Sequence, residues 1–453
     1  MQKTLSLLLI FVIFCVALFV FVSPVDVSAL PDLPKITFNY GDLSWTYDAS
    51  KHEKSSFCFQ SIGQKYGRWG DNRARANLLR KVRDLGFAPE VAMQYCFVGI
   101  EPIIKNIKSS INRNPVNATY KFNPNNSQPF TFTHEKNGFL LDFDQILNDL
   151  ANKLEKSYNV TLNLTPKVLM PDVFYEDIKD YSNLRASFHT SFNGEVENRK
   201  HNIKLATSAL NGLKITNGTE FSFNSITGKR SPQNGYKPAR VILDKKYVED
   251  FGGGVCQVST TLYNALLLAG LDITELHSHS LTSNYVNLGF DAMVNYGTSD
   301  LCWVNNTNSP MFLRGFVKNN QVYFEIYGKQ NNKNYTYKRV TEIEKTIEPK
   351  ADEIVIDEKL EYTNLVNYTD ETAYITVPKK GYKVRAILET YNGVKLIERK
   401  LLRRVTYHAV QGVKVVGTKT RPVQEPQNGS TEEQTTQSSG LAQDIVNFWQ
   451  NFF

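Results

Sequence analysis

Residues 4–23, TLSLLLIFVIFCVALFVFVS, contain no charged side chain and directly follow Lys3. A run of that length and polarity is enough to cross a bilayer as a helix. It exceeds the roughly 7 to 15 apolar residues of a signal-peptide core. An uncleaved membrane anchor is therefore expected over residues 1–29, and cleavage of a signal peptide at Val-Ser-Ala, ending at Ala29, is the competing reading. Either way the rest of the chain is exported, which removes nucleic acid from the candidate partners. Cys15 sits inside the apolar run, and its context, VIFC, lacks the small residue of a lipoprotein site. The other cysteines, Cys58, Cys96, Cys256 and Cys302, are too few for a disulfide scaffold in a chain of 453 residues. A single Cys58–Cys96 bridge is left open, and Cys302 in DLCWVNN reads as core strand.

The length suggests about three domains, and the patterning divides the chain as an α+β protein. Residues 31–180 form a first α+β region. DNRARANLLRKVRDLGF puts Leu78, Val82 and Leu85 on one helical face, with Gly86 as its stop. FTFTHEKNGFLLDF reads as two strands turning at Asn137-Gly138. DFDQILNDLANKLEKSY reads as a helix capped by Asp142 or Asp144 that buries Ile146, Leu147, Leu150 and Leu154. Residues 181–330 form a mixed α/β domain. NRKHNIKLATSALNG is a helix with Ile203, Ala206 and Leu210 inward and Gly212 at its end. EFSFNSITG reads as a strand, and RVILDKKYVEDF as a hairpin turning at Asp244-Lys245. MFLRGFV and QVYFEIYG are strands joined through Asn319-Asn320. Residues 337–420 read as a small β domain, 421–440 as a disordered polar linker, and 441–453 as an amphipathic helix.

The formal net charge of +7 is concentrated near the end: Lys379 to Arg421 holds twelve Lys and Arg against Glu389 and Glu398. Outside a membrane, such a block suits anionic wall polymers, with a solvated strand face as the plainer reading.

The segment with the most chemistry is FGGGVCQVSTTLYNALLLAG, residues 251–270. Gly252, Gly253 and Gly254 permit torsions and close approaches closed to other residues, so a substrate chain can lie against this loop. The helix that follows buries Leu262, Ala265, Leu266 and Ala269, and Cys256 falls in its first turn. Unsatisfied N–H groups and the positive end of the helix dipole there favour a thiolate and can hold an oxyanion. A base follows in ELHSHSL: on an extended strand His277 and His279 share one side, and Asp291 is the nearest downstream carboxylate to orient either of them. The bland alternative is a buried structural cysteine. Zinc on Cys256, His277 and His279, with water as the fourth ligand, is a further one. Outside that alternative no metal or cofactor is expected.

Arg185 to Lys329 resembles the VanW family, named for an accessory product of vancomycin-resistance clusters. The resemblance is carried by NRKHNI (198–203), FSFN (221–224), GYKPA (235–239), GGGVCQVSTTLYNALLLAG (252–270), HSHSL (277–281), FDAMV (290–294) and YGTSDL (296–301). Residues 112–173 resemble the peptidoglycan-binding domain that often precedes it, with 40–110 as a degenerate first copy. Residues 378–420 resemble an incomplete G5 module. The resemblance implies work on the Gram-positive cell wall, with peptidoglycan stem peptides and glycan as partners. Its specific expectation is L,D-transpeptidation through a Cys256 thioester that forms 3-3 cross-links, with His279 favoured over His277 as the base. A peptidoglycan hydrolase and a non-catalytic wall-binding adaptor are the alternatives. Gly252, Gly253, Gly254, Gln257 and Ser259 are then candidate substrate contacts. Arg185, Arg199, Arg230 and Arg240 flank the site, and Arg230 and Arg240 are the ones expected to hold a stem carboxylate.

Overall fold

The computed structural model describes residues 33–52, 72–194, 196–243, 246–330 and 335–421. The anchor, Cys58, the hairpin turn at Asp244-Lys245, the polar linker and the final helix lie outside the described residues. Among the described residues no helix is long and apolar enough to cross a membrane. The architecture is mixed α+β, built on several small sheets.

The first unit comprises residues up to Ala118 and His134–Phe174. Strands β1 (Lys35–Tyr40) and β2 (Leu43–Asp48) form a hairpin, followed by helices α1 (Asn72–Asp84), α2 (Pro89–Cys96) and α3 (Glu101–Ile111). Leu78 and Val82 of α1 are buried as their spacing requires. Leu85, expected beside them, lies past the helix end and is 69% exposed, with Gly86 at φ +88° closing the turn.

Between α3 and the rest of this unit the chain leaves it. β3 (Thr119–Phe122) and β4 (Phe130–Thr133) pair with one another and belong to the second unit. There Phe130 is buried with Phe312 and Tyr327 in an aromatic cluster that Phe122 and Tyr120 complete. The chain then returns through β5 (Gly138–Leu140), α4 (Phe143–Leu154), β6 (Asn159–Asn163) and β7 (Lys167–Leu169). Asp142 caps α4 by accepting from the Gln145 N–H at 3.0 Å.

Two expectations change here. Asn137-Gly138 is not a hairpin turn: β4 pairs with β3, and β5 pairs with β7. Gly138 is needed for proximity instead, because a Cβ there would stand 2.5 Å from the Pro115 nitrogen. Nor do residues 40–110 and 112–173 form two copies. β1 pairs in parallel with β6, Ile36 opposite Val160, and one core runs from Ile36 to Leu164.

The second unit carries the glycine loop and Cys256. β8 (Leu184–Ser191) leads to α5 (Glu197–Leu210), whose Ile203, Ala206 and Leu210 are fully buried. After β9 (Lys214–Ile215), the expected strand EFSFNSITG contains only β10 (Glu220–Ser222). Ser222 then accepts from the Ser225 N–H and starts the short helix α6 (Phe223–Thr227). β11 (Pro238–Leu243) and β12 (Lys246–Phe251) form the expected hairpin, which delivers the chain to α7 (Val255–Leu268). β13 (Asp272–Glu275), β14 (Cys302–Val304), β15 (Met311–Lys318) and β16 (Gln321–Gly328) follow. Asn319 and Asn320, at φ 50° and 55°, make the two-residue turn between the last pair. The main sheet runs β8-β16-β15-β9, and α5 and α7 pack on it.

The remaining strands are β17 (Tyr335–Ile347), β18 (Glu353–Ile356), β19 (Thr372–Thr376), β20 (Gly381–Asn392), β21 (Lys395–Tyr407) and β22 (Val413–Val416). They form the sheets β17-β20-β21 and β18-β22-β19. Ala386 and Leu388 of β20 are part of the core that contains α7. Six of the twelve basic residues in the block meet carboxylates within this region. Arg385 and Arg399 meet Glu342, Arg404 meets Glu344, Lys380 meets Glu348, Lys414 meets Asp352, and Arg421 meets Asp370 and Glu371.

Candidate active site

Cys256 is the second residue of α7, at the floor of a cavity of about 1230 Å³. Each glycine before it is required by a close neighbour. A Cβ at Gly252 would meet the Arg230 side chain at 2.5 Å, one at Gly253 the Ala239 carbonyl carbon and the Arg240 oxygen at 2.7 Å, and one at Gly254 the Ile203 side chain at 2.9 Å. Gly252 and Gly254 also adopt φ of +87° and +104°. The loop thus seats the start of α7 against α5 and the hairpin. In its first turn the Val255 N–H donates to Gly252 and the Gln257 N–H to Gly254, each at 3.0 Å. The Gly253 carbonyl accepts from Asn202. Among the described residues the Cys256 N–H donates to no backbone acceptor.

His279 is buried beside Cys256, whose thiol donates to the Val294 carbonyl at 3.4 Å. Its Nδ1 lies 2.7 Å from Asp291 Oδ2, which also accepts the His279 backbone N–H at 2.7 Å. Asp291 therefore fixes the ring through Nδ1. Burial alone would lower the imidazole pKa, but Asp291 and the Cys256 sulfur outweigh it and push it up to about 10. Burial likewise opposes ionisation of Asp291, yet His279 and Arg403 hold it down at about 2. Burial pushes the Cys256 thiol up, and the hydrogen bond and charge of His279, with the Arg230 guanidinium, pull it below its ordinary value. Each of the two groups thus favours the charged form of the other.

His277 does not join them. The segment around it makes only an isolated bridge to Met293, so strand alternation does not hold, and His277 Nε2 pairs with Glu275 at 2.8 Å on the surface. Cys256, His277 and His279 therefore do not converge as a zinc site would require. Gln257 and Ser259, expected as substrate contacts, are buried. Gln257 donates to Ser191 O and Thr190 and accepts from Arg199, while Ser259 donates to Ala292 O at 2.6 Å. Gln257 still lines the cavity, whereas Ser259 does not. Arg185 caps the far end of α7, donating to Ala269 O at 2.7 Å. Arg199, Arg230 and Arg240 line the cavity, which gives it a cationic wall. Arg230 donates through Nη1 to Gly228 O at 2.7 Å.

The residues missed from sequence are those that support Asp291. Every carbonyl from Leu288 to Ala292 accepts from a side chain: Thr341 on Leu288, Arg403 on Gly289, Asn264 on Phe290, Arg403 on Asp291 and Ser259 on Ala292. The Ala292 N–H donates to Thr260 at 2.9 Å. This explains why α7 buries Ser259, Thr260 and Asn264, which its hydrophobic spacing leaves unexplained.

Residues 198–327 match the family described as VanW like protein, and residues 36–163 the one described as "Putative peptidoglycan binding domain". Curated relatives include the uncharacterized protein YoaR of Bacillus subtilis, 36% identical over 34% of this chain and 49% of its own length. Another is the vancomycin B-type resistance protein VanW of Enterococcus faecalis, 32% identical over 25% of this chain and 42% of its own length. The chain thus spans less than half the length of each. Among solved structures, HP0197-G5 is 19% identical and covers 18% of this chain and 97% of its own, with a TM-score of 0.11. An IgA1 protease G5 domain is 19% identical over 20% of this chain and 100% of its own, with a TM-score of 0.13.

Proposed function

The chain is a VanW-family protein with a peptidoglycan-binding domain ahead of the family region, and from that premise we propose that it is a cell-wall L,D-transpeptidase acting through a Cys256 thioester. The observation that carries this reading is Cys256 set beside His279, which is itself hydrogen-bonded to Asp291, in the lining of a cavity with a cationic wall. The Cys256 thiolate attacks the carbonyl carbon between the third and fourth residues of a stem peptide. The Cys256 N–H meets the developing oxyanion. The C–N bond breaks, His279 gives its proton to the leaving D-Ala amine, and a thioester remains. A side-chain amine of a second stem attacks the thioester and His279 takes its proton. The C–S bond breaks, a 3-3 cross-link forms, and the thiolate returns. Arg230 and Arg240 suit a stem carboxylate, and the glycine loop suits the extended backbone.

Purified full-length protein is incubated with disaccharide-tetrapeptide, beside Cys256→Ala, and the products are weighed by mass spectrometry. A dimer formed with loss of D-Ala only by the wild type supports the reading. Cysteine-dependent release without dimer points to hydrolysis, and unchanged substrate with folded protein points to a wall-binding adaptor; either would displace it.

A further inference from the structure

The C-terminal sheet lies outside the VanW family region, yet it reaches the innermost member of the hydrogen-bonded chain. Asp291 is 1% exposed, and its two oxygens are served from opposite sides. Oδ2 accepts twice from His279, through the ring and the backbone. Oδ1 accepts from the Tyr407 hydroxyl and faces Arg403 Nη2 at 3.3 Å, both from β21. Arg403 also donates from Nε to Gly289 O at 3.0 Å, and Tyr407 Oη accepts the Gly289 N–H at 2.8 Å. Residues 403 and 407 fall on one face of the strand, and Ala386 from β20 packs on Gly289, where a Cβ would stand 2.9 Å away. The loop carrying Asp291 has no ladder of its own, so its position is set by these contacts and by α7.

We propose that Tyr407 and Arg403 are positioning residues for Asp291, so that the active site is completed by the C-terminal sheet rather than contained within the VanW region. The role given to Asp291 and His279 rests on the function proposed above; the positioning itself does not. Besides these two residues and His279, Tyr263 from α7 and Tyr285 feel the charge of Asp291. Among the described residues neither donates to Oδ1. With the donors on Oδ1 removed, the carboxylate is free to turn away from His279 Nδ1, which weakens the bond that favours the protonated imidazole.

The test follows the rate of Cys256 alkylation by iodoacetamide against pH in full-length protein, alongside melting temperature and turnover. Tyr407→Phe removes one oxygen atom. The acid-side fall in alkylation is expected to move up by about one pH unit. Turnover of stem peptide is expected to fall about tenfold, the size of one hydrogen bond to a charged group, with KM unchanged. Arg403→Lys keeps the cation and loses the forked contact, and a smaller shift in the same direction is expected. An alkylation profile that overlays the wild type in folded Tyr407→Phe overturns the proposal; if that variant does not fold, the same comparison on Arg403→Lys decides it. A shifted profile in a protein whose wild type makes no cross-link would keep the positioning and remove the transpeptidase.

Discussion

Two cysteines of the second unit sit in opposite electrostatic surroundings. Cys256 is drawn below its ordinary pKa, whereas burial and the carboxylates of Asp300, Glu275 and Glu220 push Cys302 up to about 12. Iodoacetamide at neutral pH should therefore label Cys256 at least about ten times faster than Cys302, and His279→Ala should abolish the preference. Peptide mapping of the labelled protein checks both. Asp291 also makes a prediction about stability. Its folded pKa lies below the ordinary 3.8, so its contribution is full above 3.8 and is lost as pH falls through about 2. His279 is raised above 6.5, so its contribution is full below 6.5 and is lost as pH rises through about 10. The stability gap between wild type and Asp291→Asn, measured by urea unfolding, should be widest between pH 3.8 and 6.5 and should narrow on either side. Cys256, His279 and Asp291 were all legible from residue type and order. That His277 turns away was not, because the alternation rule holds only on a regular strand.

At the level of elements, α7 joins a hydrophobic face that packs to a polar face that organises. Leu262→Ala should cost about 2–5 kcal/mol, seen in chemical denaturation, since Leu262 is fully buried. Gly253→Ala tests the loop instead. The added methyl meets the main chain of Ala239 and Arg240, which cannot swing aside as a side chain can. Cys256 should be displaced, with turnover lost while far-UV circular dichroism stays native. Helices with long apolar periods, α5 and α7 among them, were legible because their burial repeats every turn. EFSFNSITG and the Asn137-Gly138 segment were misread for a common reason. In each, a local cue was overridden, by the Ser222 cap in one and by strand partners distant in sequence in the other.

Across the whole molecule, charge and connectivity say what sequence order conceals. The basic block meets its acids between Glu342 and Glu371, and sequence counting had set it against only two. Glu342→Gln should leave Arg385 with Glu344 and Arg399 with Glu389 as sole carboxylate partners among the described residues, and raise the salt needed to elute the protein from a polyanionic resin; elution unchanged from wild type would leave the pairing without effect on surface charge. The aromatic hairpin β3–β4 bears on how the protein is made. Ribosomes deliver the chain from its amino end, so Phe122 and Phe130 emerge well before Phe312 and Tyr327, the side chains that cover them. Through that interval the hairpin presents sticky rings and open strand edges to whatever is nearby. That exposure to aggregation or protease ends only when β15 and β16 arrive.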